Sequence, residues 1–146
     1  MDKNRSFYIL FFAWVVAFVA TLGSLFFSEI MDFVPCSLCW YQRICMYPLV
    51  VILGLSLFPV EIKALKYALP ISCIGWILAF YHNLLHWEII PESAAPCRQG
   101  IPCSTIYINW LGFVTIPFLS LVAFTLIILF LFKAQKVLVE DYNGKT

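Results

Sequence analysis

The stretch FYILFFAWVVAFVATLGSLFF, Phe7 to Phe27, runs for 21 positions without a charge. At about 1.5 Å per helical residue it reaches roughly 31 Å, the thickness of the hydrocarbon core of a bilayer. Backbone amides in hydrocarbon have no water to bond, so a single chain crosses it as a helix. Lys3 and Arg5 ahead of the run also fit the positive head of a secretory signal. The apolar part, however, is longer than a typical signal core, and no clear small-x-small cleavage site follows. The expectation is an uncleaved membrane anchor.

Three similar stretches follow, at about 38–58, 67–87 and 112–132, the first interrupted only by Gln42 and Arg43. Pro48, Pro70 and Pro117 fall inside or near the start of these segments. In water they would count against helices, but in lipid neighbouring helices re-satisfy the freed carbonyls. Composition agrees: 63% of residues are hydrophobic and 12% charged, against roughly 45–50% apolar in a soluble domain. An aromatic content of 18% with a net charge of +1 excludes a disordered chain. Nine Lys and Arg against eight Asp and Glu leave no basic face for nucleic acid. Residues 1–146 therefore read as one all-α membrane domain, a polytopic four-helix transmembrane bundle.

Lys and Arg are retained on the cytoplasmic side of membranes. Lys3, Arg5, Lys63, Lys66, Lys133, Lys136 and Lys145 all fall at the ends of spans that alternation places on one side. Both termini are thus expected in the cytoplasm, with outer loops at about 28–37 and 88–111. Arg43 and Arg98 are the exceptions, both toward the outer side.

With that topology Cys36, Cys39, Cys97 and Cys103 face the outer space, where disulfides persist. Cys45 and Cys73 lie within the second and third spans and are expected to be buried fillers, since free cysteine behaves as a small hydrophobe. Cys36 and Cys39 form a C-x-x-C just after Pro35, a good residue to start a helix. A thiol at a helix N-terminus lies near unpaired amides and the positive end of the dipole, which favour the thiolate. Arg43 is one turn beyond Cys39 on the same face; its guanidinium either leans toward the sulfur or snorkels to headgroups.

Cys97 and Cys103, with five residues between them in a loop bounded by Pro91, Pro96 and Pro102, suit a small exposed disulfide ring. As a staple it would close too short a loop to gain much stability. Two dithiol pairs on one side suggest a relay: a partner thiolate attacks the loop disulfide, the loop pair reduces the membrane-surface pair, and a lipid-soluble oxidant removes the electrons. The aromatics Trp40, Tyr41 and Tyr47 read as a lipid-interface belt.

The run Pro35-Cys36-Ser37-Leu38-Cys39-Trp40-Tyr41-Gln42-Arg43 closely resembles the signature of the DsbB family, the quinone-dependent membrane oxidases of disulfide bond formation. Four helices, the C-x-x-C opening the second, and a cysteine pair in the last outer loop extend the similarity over nearly the whole chain. The resemblance implies a multi-pass protein of the bacterial cell membrane with its redox cysteines outside. It implies that Cys36–Cys39 reduces a quinone, with Cys39 nearest the ring and Arg43 near a ring carbonyl. It further implies that Cys97–Cys103 exchanges with a soluble thioredoxin-like oxidase of DsbA type, Cys97 forming the mixed disulfide. The short outer loop is similar to the compact branch of Gram-positive bacteria, which favours menaquinone over ubiquinone. Reported potentials of about −120 mV for a DsbA-type oxidant and below about −300 mV for structural disulfides make client oxidation favourable by about 8 kcal/mol. Regenerating such an oxidant is the hard step, and a respiring quinone pool is a suitable sink.

His82 and His86 stand one turn apart near the outer end of the third span. Polar groups at that depth are functional candidates, here for hydrogen bonding or proton transfer to a quinone, although an interfacial belt uses histidine too. Three rival readings differ in the state of the cysteines. A four-thiolate zinc site from Cys36, Cys39, Cys97 and Cys103 needs reduced thiols outside the cell and leaves Arg43 without a purpose, so no metal is expected. A membrane binding or chaperone-like subunit would keep both disulfides intact. A vitamin K epoxide reductase-like enzyme would carry the loop pair before the C-x-x-C, the reverse of the order here.

Overall fold

The computed structural model describes residues 2–58, 60, 62–91 and 115–144. Among these, four α-helices follow one another: α1 (Asp2–Leu25), α2 (Ser37–Leu55), α3 (Ile62–His86) and α4 (Ile116–Asn143). All four are long and apolar enough to cross a membrane, and no named strand occurs among the described residues. The fold is thus all-helical, as the charge-free runs predict. The helices overrun those runs. α1 begins at Asp2, α3 at Ile62 and α4 continues to Asn143, because hydropathy marks only the hydrocarbon crossing, whereas backbone hydrogen bonding carries a helix on into the polar interface. α2 stops at Leu55 rather than 58, where the chain turns at Ser56, whose hydroxyl donates to the Leu53 carbonyl (2.7 Å).

Each helix packs against its sequence neighbours, and α1 closes the ring against α4. Side-chain pairs fix the antiparallel register of α1 and α2. Phe7 meets Phe58 at one end, Trp14 Nε1 donates to the Val50 carbonyl (3.1 Å) midway, and Arg43 reaches Ser24 at the other end. Short connections join α1 to α2 and α2 to α3, and short connections make antiparallel neighbours the natural arrangement in a four-helix bundle.

The core is a column of Leu10, Leu49, Leu53, Leu65, Phe124 and Leu131, each at most 1% exposed, with the wholly buried Ala13, Ala17, Ala68 and Ala79 among them. Small residues at crossings are how helices gain packing contacts in lipid, where burial alone gives no drive to associate. Gly75 is the tightest of these positions: a Cβ there would collide with the buried ring of Phe124. Buried polar groups are tied across helices in the same way. Trp76 Nε1 donates to Thr125 Oγ1 (2.9 Å), and Asn83 Nδ2 donates to the carbonyls of Ala79 and Pro117 (2.8 and 2.9 Å). Asn83 thereby anchors the start of α4 to α3.

The outside of the bundle is apolar, with Tyr8, Val19, Leu55, Phe58 and Ile77 each at least 60% exposed. Cys45 is buried in the core as expected, but Cys73 is exposed on the outer face of α3. The expectation of a buried filler fails there because the span has apolar residues all round, so its sequence pattern does not say which face turns inward.

Candidate active site

α1 ends in a single π-helical turn, Phe26–Ile30, and the chain reverses at Asp32, whose φ of 53° lies in the left-handed region that aspartate tolerates. The reversal delivers Cys36 to the start of α2. Cys36 is the N-cap residue itself: its backbone is extended (φ −70°, ψ 170°), and its sulfur accepts from the Cys39 amide (3.4 Å). Pro35 therefore stands just outside the helix rather than inside its first turn. A C-x-x-C at a helix start has this consequence because the third residue after the cap is the one whose amide points back at the cap side chain.

The Cys36 and Cys39 sulfurs lie 3.1 Å apart, both thiols free. Cys36 is 7% exposed, and His82 of α3 approaches its sulfur from the protein side, Nε2 at 3.8 Å. The hydrogen bond shared with Cys39 is the main influence holding the Cys36 thiol down at about 4, from an ordinary 9.0. Burial opposes the shift, and His82 and the Cys39 amide add to it. The opposite nitrogen of His82, Nδ1, meets the side-chain amide of Gln42 at 3.0 Å, with both residues buried.

Arg43 turns inward, not out to headgroups. Its Nε donates to Ser24 Oγ (2.8 Å) and its Nη2 to the Ser24 carbonyl (2.9 Å), while the guanidinium carbon sits 5.2 Å from the centre of the Trp40 ring. The fork thus bridges α2 to α1 and is stacked besides, so its plane is set by two neighbours.

These groups open onto one cavity of about 520 Å³ between α1, α2 and α4. Its walls are mainly aliphatic, from Val16, Ala20, Met46 and Leu126 among others, while Cys36, Cys39, Arg43, His82 and His86 reach its edge. Three polar atoms of its lining are buried without a hydrogen-bond partner among the described residues: Tyr47 Oη, His86 Nδ1 and Thr115 Oγ1. Buried polar groups are rarely left unpaired, so these mark places where a ligand with polar atoms fits. An apolar slot with a few convergent polar groups is the general form of a small-molecule site.

Of the residues singled out by sequence, Cys36, Cys39, Arg43, His82 and His86 come together here. Cys97 and Cys103 lie outside the described residues, as does Arg98. Trp40 and Tyr41 are about half exposed, in keeping with an interface belt, but Tyr47 is turned into the cavity. Sequence reading missed Ser24 and the pairing role of Gln42. Gln42 carried a usable signal, a polar side chain within a span; Ser24 carried none, since only packing brings it to Arg43.

Comparison with known proteins places the chain in a family. Residues 4–134 match the family model described as Disulfide bond formation protein DsbB. Disulfide bond formation protein C of Bacillus subtilis (strain 168) is 52% identical over 136 residues, which cover 92% of this chain and 98% of that protein. Probable disulfide formation protein C 1 of Bacillus anthracis is 50% identical over 84% of this chain and 88% of its own length. Probable disulfide formation protein C 2 of Bacillus cereus (strain ATCC 10987 / NRS 248) is 43% identical over 90% of this chain and 94% of its own length. No solved structure matches the chain. With four membrane-length helices and a C-x-x-C capping the second, the chain is a multi-pass membrane protein that belongs to the DsbB family of disulfide bond formation proteins.

Proposed function

We propose that the protein is a membrane protein-dithiol:quinone oxidoreductase that reoxidises an extracytoplasmic thioredoxin-like thiol oxidase of DsbA type. The observation that carries this reading is the opening of the Cys36–Cys39 pair and Arg43 onto one apolar cavity with unpaired polar atoms in its wall. A quinone fits such a slot, with an apolar ring and tail for the aliphatic walls and two carbonyl oxygens for donors. When bound it supplies an acceptor for two electrons and two protons.

The chain's own groups do the rest. A thiolate of the partner attacks the Cys97–Cys103 disulfide, with Cys97 forming the mixed disulfide, and its second thiolate releases the oxidised partner. The loop dithiol then passes its two electrons to the Cys36–Cys39 disulfide by the same exchange. Cys36, held as a thiolate, is the stabilised leaving sulfur in that exchange. Cys39 is the sulfur presented to the acceptor, and Arg43 orients and polarises a carbonyl beside it. His82 and His86 hold or pass protons at the same rim. In this topology the termini are cytoplasmic and the cysteines extracytoplasmic, and menaquinone is the quinone of choice.

Ala20→Phe tests the cavity directly, because Ala20 lines it on α1 away from the thiols. The folded variant is expected to lose most quinone reduction while its loop disulfide still exchanges with a reduced partner. Undiminished quinone reduction would remove the cavity from the mechanism.

A further inference from the structure

Cys36 Sγ, Cys39 Sγ and His82 Nε2 or Nδ1 all lie within 4.8 Å of one another. We propose that the reduced Cys36–Cys39 pair and His82 form an inhibitory binding site for a borderline-soft divalent metal ion, of which zinc is the best fit. This is a Cys₂His set that leaves a fourth position open, unlike a closed four-thiolate structural centre, and it is distinct from a resident metal because it exists only while the two thiols are reduced.

Ligand type and spacing both fit. Zn–S bonds of about 2.3 Å and Zn–N bonds of about 2.0 Å at tetrahedral angles put two sulfurs about 3.8 Å apart and a sulfur and nitrogen about 3.5 Å apart. The site has 3.1 Å between sulfurs, 3.8 Å between Cys36 Sγ and His82 Nε2, and at most 4.8 Å between any two of the three ligand atoms, so capture needs the sulfurs to part by about 0.7 Å and the imidazole to close on them, movements that rotation about cysteine and histidine χ1 supplies.

A metal-bound histidine uses its other ring nitrogen to donate to a fixed acceptor. Nδ1 of His82 faces the buried Gln42 amide at 3.0 Å, and with the amide oxygen turned to Nδ1–H it is Nε2, the nitrogen on the side of the Cys36 sulfur, that carries the lone pair for the ion. The guanidinium of Arg43, one turn beyond Cys39, is turned to Ser24 and Trp40. Two thiolates balance the ion's two charges, so the site is neutral when filled. The fourth position opens on the cavity that Cys36, Cys39 and His82 all line, which is the entry path.

Binding displaces the remaining thiol protons to solvent and forms two metal–sulfur bonds; no electrons move. Both sulfurs are then occupied, so the pair can neither close to a disulfide nor give up electrons. That consequence rests on the proposed thiol chemistry, whereas the binding itself rests only on the geometry.

Cobalt(II) is the optical probe, added under anaerobic conditions to the reduced, detergent-purified protein carrying Cys97→Ser and Cys103→Ser. The expected result is one equivalent bound, with the visible bands of tetrahedral thiolate-bound cobalt, bleached by added zinc. His82→Ala should weaken cobalt binding about a hundredfold or more, and Gln42→Leu about tenfold to a hundredfold. Loss of the bands on removing the loop cysteines, or unchanged affinity in both the His82 and Gln42 variants, would overturn the site. Zinc added to the wild-type protein should stop quinone reduction, and a chelator should restore it. Binding without inhibition would refute the inhibitory role alone. Absence of quinone reduction before any zinc is added would count against the oxidoreductase reading and leave the metal titration standing.

Discussion

Cys36 is where backbone geometry becomes reactivity. The helix start supplies an amide to its sulfur, Cys39 and His82 supply the rest, and the thiol is held at about 4. A lowered value means that ionisation stabilises the reduced fold. The gain is complete above the ordinary value of 9.0, shrinks as pH falls, and is gone below about 4. Alkylation of Cys36 in the reduced protein should therefore proceed at a nearly constant rate from pH 5.5 to 8, where an ordinary thiol speeds up about tenfold per unit. His82→Ala removes one of the lowering partners; if it raises the value by about two units, the thiolate fraction at pH 5 falls about tenfold. A rate that climbs with pH in the wild-type protein would show that the thiol is not held down. Arg43→Gln removes the charge and the fork to Ser24, each charge-assisted bond being worth roughly 1.5–3 kcal/mol. The KM for quinone should rise about tenfold to a hundredfold while exchange at the loop pair is spared; an unchanged KM would sink the role of Arg43. Cys36, Cys39 and Arg43 were legible as a set because their spacing places them on one helix turn and the next. The pairing of His82 with Gln42, and of Arg43 with Ser24, spans 40 and 19 positions and is set by helix packing that no local pattern encodes.

Helices in lipid associate through close contact, so their most sensitive positions are the small ones. At Gly75 an added methyl collides with Phe124, which is wholly buried and has nowhere to retreat. Gly75→Ala should cost about 1–3 kcal/mol, the usual cost of overpacking, read as a lowered unfolding midpoint in detergent. Gly23→Ala is the matched control, because nothing lies within 4 Å of its Cβ position, and it should leave the midpoint unchanged. Equal effects at the two glycines would show that the α3–α4 crossing is looser than described. At this scale the existence and order of the helices are readable from the long apolar runs alone, three of them charge-free and one interrupted by Arg43. Their inward faces are not: Cys73 and Tyr47 were assigned to the core and to the lipid interface, respectively, and exchanged places in the structure, because a span apolar all round has no amphipathic stripe to read.

At the scale of the whole molecule, the C-x-x-C starts α2 at one end of the bundle, whereas Lys63, Lys66, Lys133 and Lys136 lie toward the other, at the start of α3 and in the last turns of α4. The proposed orientation predicts that a membrane-impermeant maleimide labels Ser28→Cys in intact cells, on a background lacking the native cysteines, and does not label Lys63→Cys; the reverse pattern would invert the topology. The relay predicts that Cys97→Ser abolishes the covalent complex with the partner but leaves Cys36–Cys39 able to reduce quinone when an artificial dithiol replaces the partner. The central claim is the coupling of the two halves. It is measured most directly by following quinone absorbance in the purified, detergent-solubilised protein as a reduced thioredoxin-like partner is added, with Cys36→Ser alongside. One quinone reduced for each partner dithiol oxidised, and none in the variant, is the predicted result. Oxidation of the partner without quinone consumption, or undiminished turnover in Cys36→Ser, would contradict it.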